Sequence, residues 1–310
     1  METAVTNVPA SQHIPVLLNE SLELLDIQPG ETVIDCNVNR AGHSIEFAKR
    51  LGPTGTLIGI DLDVDALEEA QKNLSTLPEH PRICLIHNNF RNLEQVLEDT
   101  GVESVDKVFF DLGLSSQELD TSGRGFTFQK DEPLLMTYES KVVEETLTAK
   151  DILNLWEEET LADIIYAYSD EKFSRRIARG IVGIRKVRPF ETTFDLVRAI
   201  ETSVPEGYIK AKTHFATKTF QAIRIAVNDE MGALKEALEK SVNILKPNGR
   251  IVVISFHSLE DRTVKLYFKE LQKLGIGDIL TKKPIDPTRS EIKANPRSRS
   301  AKIRAFNKNK

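Results

Sequence analysis

Apolar positions along this chain follow two rhythms. Short unbroken runs, Val33-Ile34, Leu57-Ile58-Gly59-Ile60, Ile83-Cys84-Leu85-Ile86, Val108-Phe109-Phe110 and Ile251-Val252-Val253-Ile254, have the length and the β-branched and aromatic content of strands buried on both faces. Between them the helical period takes over, across residues 17–25, 44–51, 64–74, 92–97 and 231–245, and Gly52-Pro53 supplies a stop after the second of these. Strand and helix alternating in this way predict an α/β sheet with parallel strands. The alternation breaks after Asp111. A glycine- and serine-containing stretch, 113–128, leads into helix-like segments at 149–156, 161–168, 171–187 and 193–203 with no strand among them, and sheet character returns only after the turn Lys246-Pro247-Asn248-Gly249. The pattern predicts a helical domain inserted between the fourth and fifth strands. Its expected division is 1–115, 116–214 and 215–310, the last part ending in a basic tail.

Three of the strand-like runs end on a carboxylate: Asp35, Asp61 and Asp111. Parallel strands that stop on aspartate put those charges at the carboxyl edge of the sheet, where open α/β folds bind their ligands. The first run opens into a loop, Cys36 to Ser44, and then a helix. Asp61 follows that loop by about 20 residues, the spacing at which a carboxylate accepts hydrogen bonds from ribose hydroxyls. The alternative for Asp61 alone is a turn or a helix cap. There is no G-x-G-x-x-G, which argues against an ordinary dinucleotide site.

Composition sets the frame for this reading. A chain of 310 residues with 40% hydrophobic content suffices for a full core and about two domains. Its two cysteines, Cys36 and Cys84, suit a reducing compartment better than a disulfide framework or a zinc site, and no signal-like or membrane-spanning run is evident, so a cytoplasmic protein without a membrane partner is expected. The net charge of −6 is unevenly spread. Residues 281–310 carry ten Lys or Arg and two acids, a balance of +8 that leaves −14 for the other 280 residues. A second basic run, 172–188, has seven cations and no acid. Either run alone could be a solvated face; two of them beside a nucleotide-type fold suggest a phosphate backbone as partner.

At this point longer stretches become informative. His13-Ile14-Pro15-Val16-Leu17-Leu18, Arg124-Gly125-Phe126-Thr127-Phe128-Gln129, Thr219 to Glu230, Ser255-Phe256-His257-Ser258-Leu259-Glu260-Asp261-Arg262 and Asn295 to Lys302 resemble the corresponding stretches of the bacterial RsmH (MraW) methyltransferases, in the same order. The resemblance implies a class I S-adenosylmethionine-dependent methyltransferase, a Rossmann-like sheet with an inserted helical substrate-recognition domain. It also implies methylation of the exocyclic N4 of a cytidine in the decoding region of small-subunit (16S) ribosomal RNA, met as RNA or as a ribosomal subunit. The cofactor site it implies comprises Ala41, Gly42, His43, Asp61, Phe90, Asp111 and Glu118. Phe90 would lie against the adenine, or serve as plain core. Asp111, Asn228 and His257 are its candidate catalytic residues, with Asp229 and Ser255 as further pocket candidates; His257 is equally a structural histidine at a strand end, and Asn228 and Asp229 equally close a helix. No metal is implied.

The chain departs from the family pattern in three places. Asn37, Asn39 and Ala41 stand where the family has Thr-x-Gly-x-Gly, Glu118 stands where it has glutamine, and Glu132 to Glu139 lose two charged positions of its Gly-Pro-Leu-Asp-Met-Arg-Met-Asp segment. Asparagine tolerates positive φ and is expected to keep the turn at Asn39, whereas Ala41 is expected to be strained. These departures leave a non-catalytic RNA-binding assembly factor as one alternative; a dehydrogenase on the same sheet is another, without its glycine fingerprint. For the enzyme, a sulfonium methyl is already electrophilic, so the harder task is to present an amine whose lone pair is delocalised into cytosine. An acceptor for its N–H, the Asp111 carboxylate or the carbonyls of Leu112 and Gly113, serves that end, on a base extruded from its stack.

Overall fold

The computed structural model describes residues 15–114, 119 and 121–309. Seven strands form one sheet: β1 (Thr32–Asp35), β2 (Thr56–Asp61), β3 (Arg82–His87), β4 (Val105–Asp111), β5 (Leu245–Ser255), β6 (Gly277–Ile279) and β7 (Lys302–Lys308), in the spatial order β3-β2-β1-β4-β5-β7-β6. The first five run parallel, and β7 enters antiparallel between β5 and β6. The chain order reverses at β1 and β4, which leaves a crevice beyond their carboxyl ends. This is the class I arrangement that the resemblance implies.

The apolar runs are unbroken because helices cover both faces. Val33, Leu57, Phe109, Val252 and Ile254 point to one side, where α1 (Leu18–Leu25), α2 (Gly42–Leu51) and α3 (Val64–Leu74) contribute Leu25, Phe47, Leu51 and Leu74. Ile34, Ile58, Val108, Phe110, Ile251 and Val253 point to the other, against α4 (Leu93–Thr100), α11 (Glu230–Ile244) and α12 (Ser258–Lys273) through Val96, Leu238 and Phe268. Each single-residue step along a strand changes side, as the pleat requires.

Between β4 and β5 lie α5 (Ala149–Leu155), α6 (Glu158–Ser169), α7 (Ser174–Arg185), α8 (Thr193–Ser203), α9 (Glu206–Ile209) and α10 (Thr217–Asn228). They gather their own apolar cluster from Phe126 to Ile223. The helix α10 belongs to both bodies: Phe220 and Ile223 enter this cluster, and Ile225 enters the sheet core. The insertion's apolar cluster thus draws on residues beyond 214, on a helix whose far end reaches the sheet. Among the described residues, no helix is long and apolar enough to cross a membrane.

Two expectations need correction. The turn 246–249 does not precede β5 but bulges out of it: Val105 pairs with Leu245 and Lys107 with Arg250, and Asn248 takes φ 61° inside the excursion. The basic tail is not a tail. Its residues 302–308 are an internal strand with Ile303, Ala305 and Phe306 fully buried. Arg304 is buried too, because Asp261 on α12 accepts from its Nε at 2.7 Å, and Lys308 Nζ donates to the carbonyls of Val242 and Leu245. These cations are spent on the sheet.

Candidate active site

The first loop leaves β1 at Asp35, a residue only 1% exposed. Ser44 Oγ donates to Asp35 Oδ2 at 2.6 Å and the Asn37 amide to Oδ1 at 3.3 Å, yet burial dominates and pushes the carboxyl up to about 7. Asn39 adopts φ 47°, the left-handed turn that asparagine tolerates. Ala41 is held at φ 65° as the N-cap of α2 with no side-chain acceptor to offer, a strained place for a residue with a Cβ. Gly42 has a different reason for being glycine. Its φ is ordinary, but a Cβ there would lie 2.9 Å from Pro15 Cγ, so it serves packing against the chain before α1 rather than approach of a ligand.

An open cleft lies beyond the strand ends. Cys36, Asn37 and Asn39 line it from the first loop, Asp61 and Leu62 from the end of β2, Asn88, Asn89 and Phe90 from the end of β3, and Leu112 and Gly113 from the end of β4. Asp61 is the best organised of these. Its Oδ2 accepts the Asn39 amide at 2.8 Å and its Oδ1 the Asp63 amide at 3.0 Å, which leaves each oxygen a further lone pair. Burial still outweighs these bonds and raises its pKa to about 6. Phe90 rests edge-on against Phe110, with ring centroids 5.8 Å apart, and so is both cleft wall and core. Asn37 Oδ1 is buried without a hydrogen-bond partner in this wall.

Asp111 ends β4 with its side chain turned toward α2, not onto the cleft wall. Its Oδ2 lies 3.4 Å from His43 Nδ1, and His43 Nε2 is 2.9 Å from the Val16 carbonyl. A carbonyl only accepts, so that ring nitrogen carries the hydrogen and Nδ1 faces the carboxyl. Burial, then the charges of Asp35 and Glu260, hold the Asp111 carboxyl well above the ordinary carboxylate range. Ala41, Gly42 and His43 stand behind the cleft; among the first-loop residues, Asn37 and Asn39 stand in it. Glu118 lies outside the described residues.

Asn228 and His257 do not reach the crevice with free polar atoms. Asn228 lines the cleft, but its Nδ2 donates to the carbonyls of Met136 (2.7 Å) and Arg224 (2.9 Å), and its Oδ1 accepts the Tyr138 amide at 2.9 Å. It is a clamp that holds residues 136–138 against the end of α10, and Met136 takes φ 55° there. His257 is the N-cap of α12: its Nδ1 accepts the Glu260 amide while Glu260 Oε2 accepts the amides of Phe256 and His257. Burial opposes the charge on Glu260, but His257, those amides and Arg224 outweigh it and keep its pKa low. Ser255 is buried on β5 and Asp229 is exposed, paired with Arg91 at 2.5 Å. Glu230, His257 and Glu260 bring ligand atoms within 4.8 Å of one another. Arg224 already grips Glu230 with two bonds of 2.8 and 2.9 Å, so the group is an ion-pair network rather than a metal cage.

The residue that sequence reasoning passed over is Tyr138. Its ring lines the cleft, its hydroxyl donates to Glu230 Oε1 at 2.9 Å, and Arg124 holds its carbonyl at 2.6 Å while also pairing with buried Asp63 at 2.7 Å. No local signal marks it, because two of its anchors, Asn228 and Glu230, lie 90 and 92 residues away in the chain. Asn88-Asn89 could have been found: they come directly after the apolar run of β3, at the same edge as the aspartates.

Comparison with known proteins agrees along the full length. The family described as the MraW methylase family matches residues 10–309. Proteins named ribosomal RNA small subunit methyltransferase H are similar at 42% identity in Brevibacillus brevis (96% of this chain, 98% of the relative), 43% in Clostridium botulinum (96% and 99%) and 42% in Symbiobacterium thermophilum (96% and 96%). With a match of that extent, and a sheet whose carboxyl edge carries three strand-end aspartates, of which Asp61 lines the cleft, this chain belongs to the MraW methylase family.

Proposed function

We propose that this protein uses S-adenosylmethionine to methylate the N4 of a cytidine in the decoding region of small-subunit ribosomal RNA. The observation that carries the reading is the match to small-subunit rRNA methyltransferases over 96% of the chain. The cleft fits the cofactor on two independent grounds. Asp61 keeps acceptor capacity for a ribose diol, and the orphaned Asn37 Oδ1 is the kind of acceptor that a methionine ammonium satisfies. Leu62 and Phe90 give the adenine apolar walls. When bound, the cofactor supplies a methyl on an already electrophilic sulfonium.

The chain's own residues then have three tasks. The Leu112 and Gly113 backbone lines the cleft at the β4 end, where a carbonyl acceptor for the amine N–H frees its lone pair, with the Asp111 carboxyl behind them against His43. Gly113 is at φ 104°, and a Cβ there would come within 3.0 Å of the Phe256 ring, so this turn is fixed by packing. Asn228 and Glu230 position Tyr138 over the cleft, which narrows it for a single extruded base. An rRNA substrate makes the cytoplasm its place of work.

Mass spectrometry of nucleosides from small-subunit rRNA tests the proposal. N4-methylated cytidine falls in cells lacking the gene and returns with the unaltered gene; an unchanged level would overturn the assignment.

A further inference from the structure

With residues 302–308 absorbed into the sheet, the other basic stretch acquires a distinct meaning. Its seven cations divide by partner. Arg179 lies 3.5 Å from Glu158, Arg188 pairs with Asp195, and Arg185 donates to the carbonyls of Leu153 and Trp156. Lys172, Arg175, Arg176 and Lys186 are exposed and make no ion pair among the described residues. Arg175, Arg176 and Arg179 share one face of α7, opposite buried Ile177, Ala178 and Ile181, and Lys172 stands in the turn just before the helix.

Stability of the helix does not call for this arrangement. The first turn of α7 has no acid, and cations crowd its amino end, where the helix dipole disfavours positive charge. Beside them stands an aromatic pair, Phe173 and Tyr208, set edge to face with centroids 5.1 Å apart. Lys172 Nζ lies 5.1 Å from the Phe173 centroid and 5.6 Å from that of Tyr208, and the Arg176 guanidinium is 5.7 Å from Phe173. One buried carboxylate builds the group: Glu171 accepts the Phe173 amide at 2.9 Å with Oε1 and the Tyr208 hydroxyl with Oε2. Cations interleaved with fixed aromatic rings suit single-stranded nucleic acid, whose phosphates and base faces alternate.

The helix α10 connects this surface to the cleft. Near its start Lys218 and Gln221 donate to the carbonyls of Asp170 and Tyr168, just before the cationic face, and at its end Asn228 lines the cleft. Ten residues at 1.5 Å each separate Lys218 from Asn228, roughly 15 Å, the span of a few nucleotides.

We propose that Lys172, Arg175 and Arg176, with the Phe173–Tyr208 pair, form a docking surface for the phosphate backbone of a single-stranded rRNA segment flanking the target nucleotide. The proposal rests on rRNA being the substrate. Its test is filter binding of a single-stranded oligoribonucleotide carrying the decoding-region sequence across a salt series, with calorimetry of S-adenosylmethionine alongside. In K172A/R175A/R176A the slope of log affinity against log salt flattens by roughly two units, at about 0.7 for each single-strand phosphate that is no longer neutralised, while cofactor affinity stays unchanged. The charge-keeping K172R/R175K/R176K keeps the wild-type slope. Equal affinity and slope in wild type and the alanine variant overturn the proposal, as does a slope change confined to R297A/R299A. Failure of the wild type to bind the RNA at any salt overturns the proposal, and an unchanged level of N4-methylated cytidine in cells lacking the gene is the separate sign that the substrate assignment fails.

Discussion

The carboxylates at the ends of β1 and β4 and the one at the end of β2 hold equivalent places on the sheet edge, yet the fold treats them differently. Asp61 receives two backbone amides and faces the cleft with lone pairs to spare. Asp35 and Asp111 end neighbouring strands and are desolvated behind the cleft wall, Asp111 raised further by the charge of Asp35. A carboxylate given amides is an anchor for hydroxyls, and one denied water is a place to hold a proton. The difference comes from the segment attached to each strand end: a turn that points amides back after β2, and a helix packed over the strand ends after β1.

The strongest way to break this comparison is Asp111→Asn. If the β4 end handles the amine proton, methylation measured with S-adenosylmethionine labelled in the methyl group falls at least about 100-fold. The melting temperature does not fall, since the amide, like the protonated carboxyl it replaces, carries no charge. Retained activity would hand the task to the Leu112 and Gly113 carbonyls. Asp61→Ala separates the anchor from the proton holders: calorimetry should show S-adenosylmethionine binding weaker by about 1.5–3 kcal/mol, the scale of charge-assisted hydrogen bonds. No binding by the unaltered protein up to millimolar ligand would favour a non-catalytic assembly factor.

Asp35 offers a test through pH. Its carboxyl is raised to about 7 in the folded protein, so between about pH 4 and 7 the native state holds a proton that the unfolded chain has lost. The resulting stability is full below the unfolded value and is lost as pH rises through 7. Denaturant melts of wild type and Asp35→Asn should diverge as pH is lowered from 7.5 to 5.5, wild type gaining by up to about 1.4 kcal/mol per unit. A difference independent of pH would mean that Asp35 is ionised when folded. The smallest effect belongs to Ala41→Gly. Relief of the left-handed alanine gains about 1–2 kcal/mol, and the added freedom of the unfolded chain returns about 0.4–1, so a net stabilisation of roughly 0.5–1 kcal/mol is expected. Destabilisation would show that the methyl of this fully buried residue packs better than its backbone suffers.

The part of this site legible in the sequence is the part made by strands. Buried parallel strands leave a signature of unbroken apolar residues, and their ends locate Asp35, Asp61 and Asp111 without tertiary information, whereas Phe90 is marked only by the family resemblance. The strand β7 stayed hidden because Lys302, Arg304 and Lys308 mimic a solvated tail; Asp261 and two distant carbonyls neutralise them only after folding. Asn228 and His257 carry two readings in the sequence, chemistry or helix closure, because side-chain amides and imidazoles close helices and clamp loops with the same atoms that catalysis uses; in the fold both make such closing bonds. The wall built by Tyr138 and Glu230 depends on a hydrogen bond across 92 residues, beyond the reach of any local pattern.

The placement of β7 also sets a schedule for synthesis. Five strands are translated before residue 256, but β5 meets its second neighbour, and β6 its first, only when residues 302–308 have left the ribosome. The insertion's own cluster is complete by Val227. The nascent chain can therefore consolidate its substrate-facing helices early, while the catalytic sheet waits with one edge open for its penultimate strand.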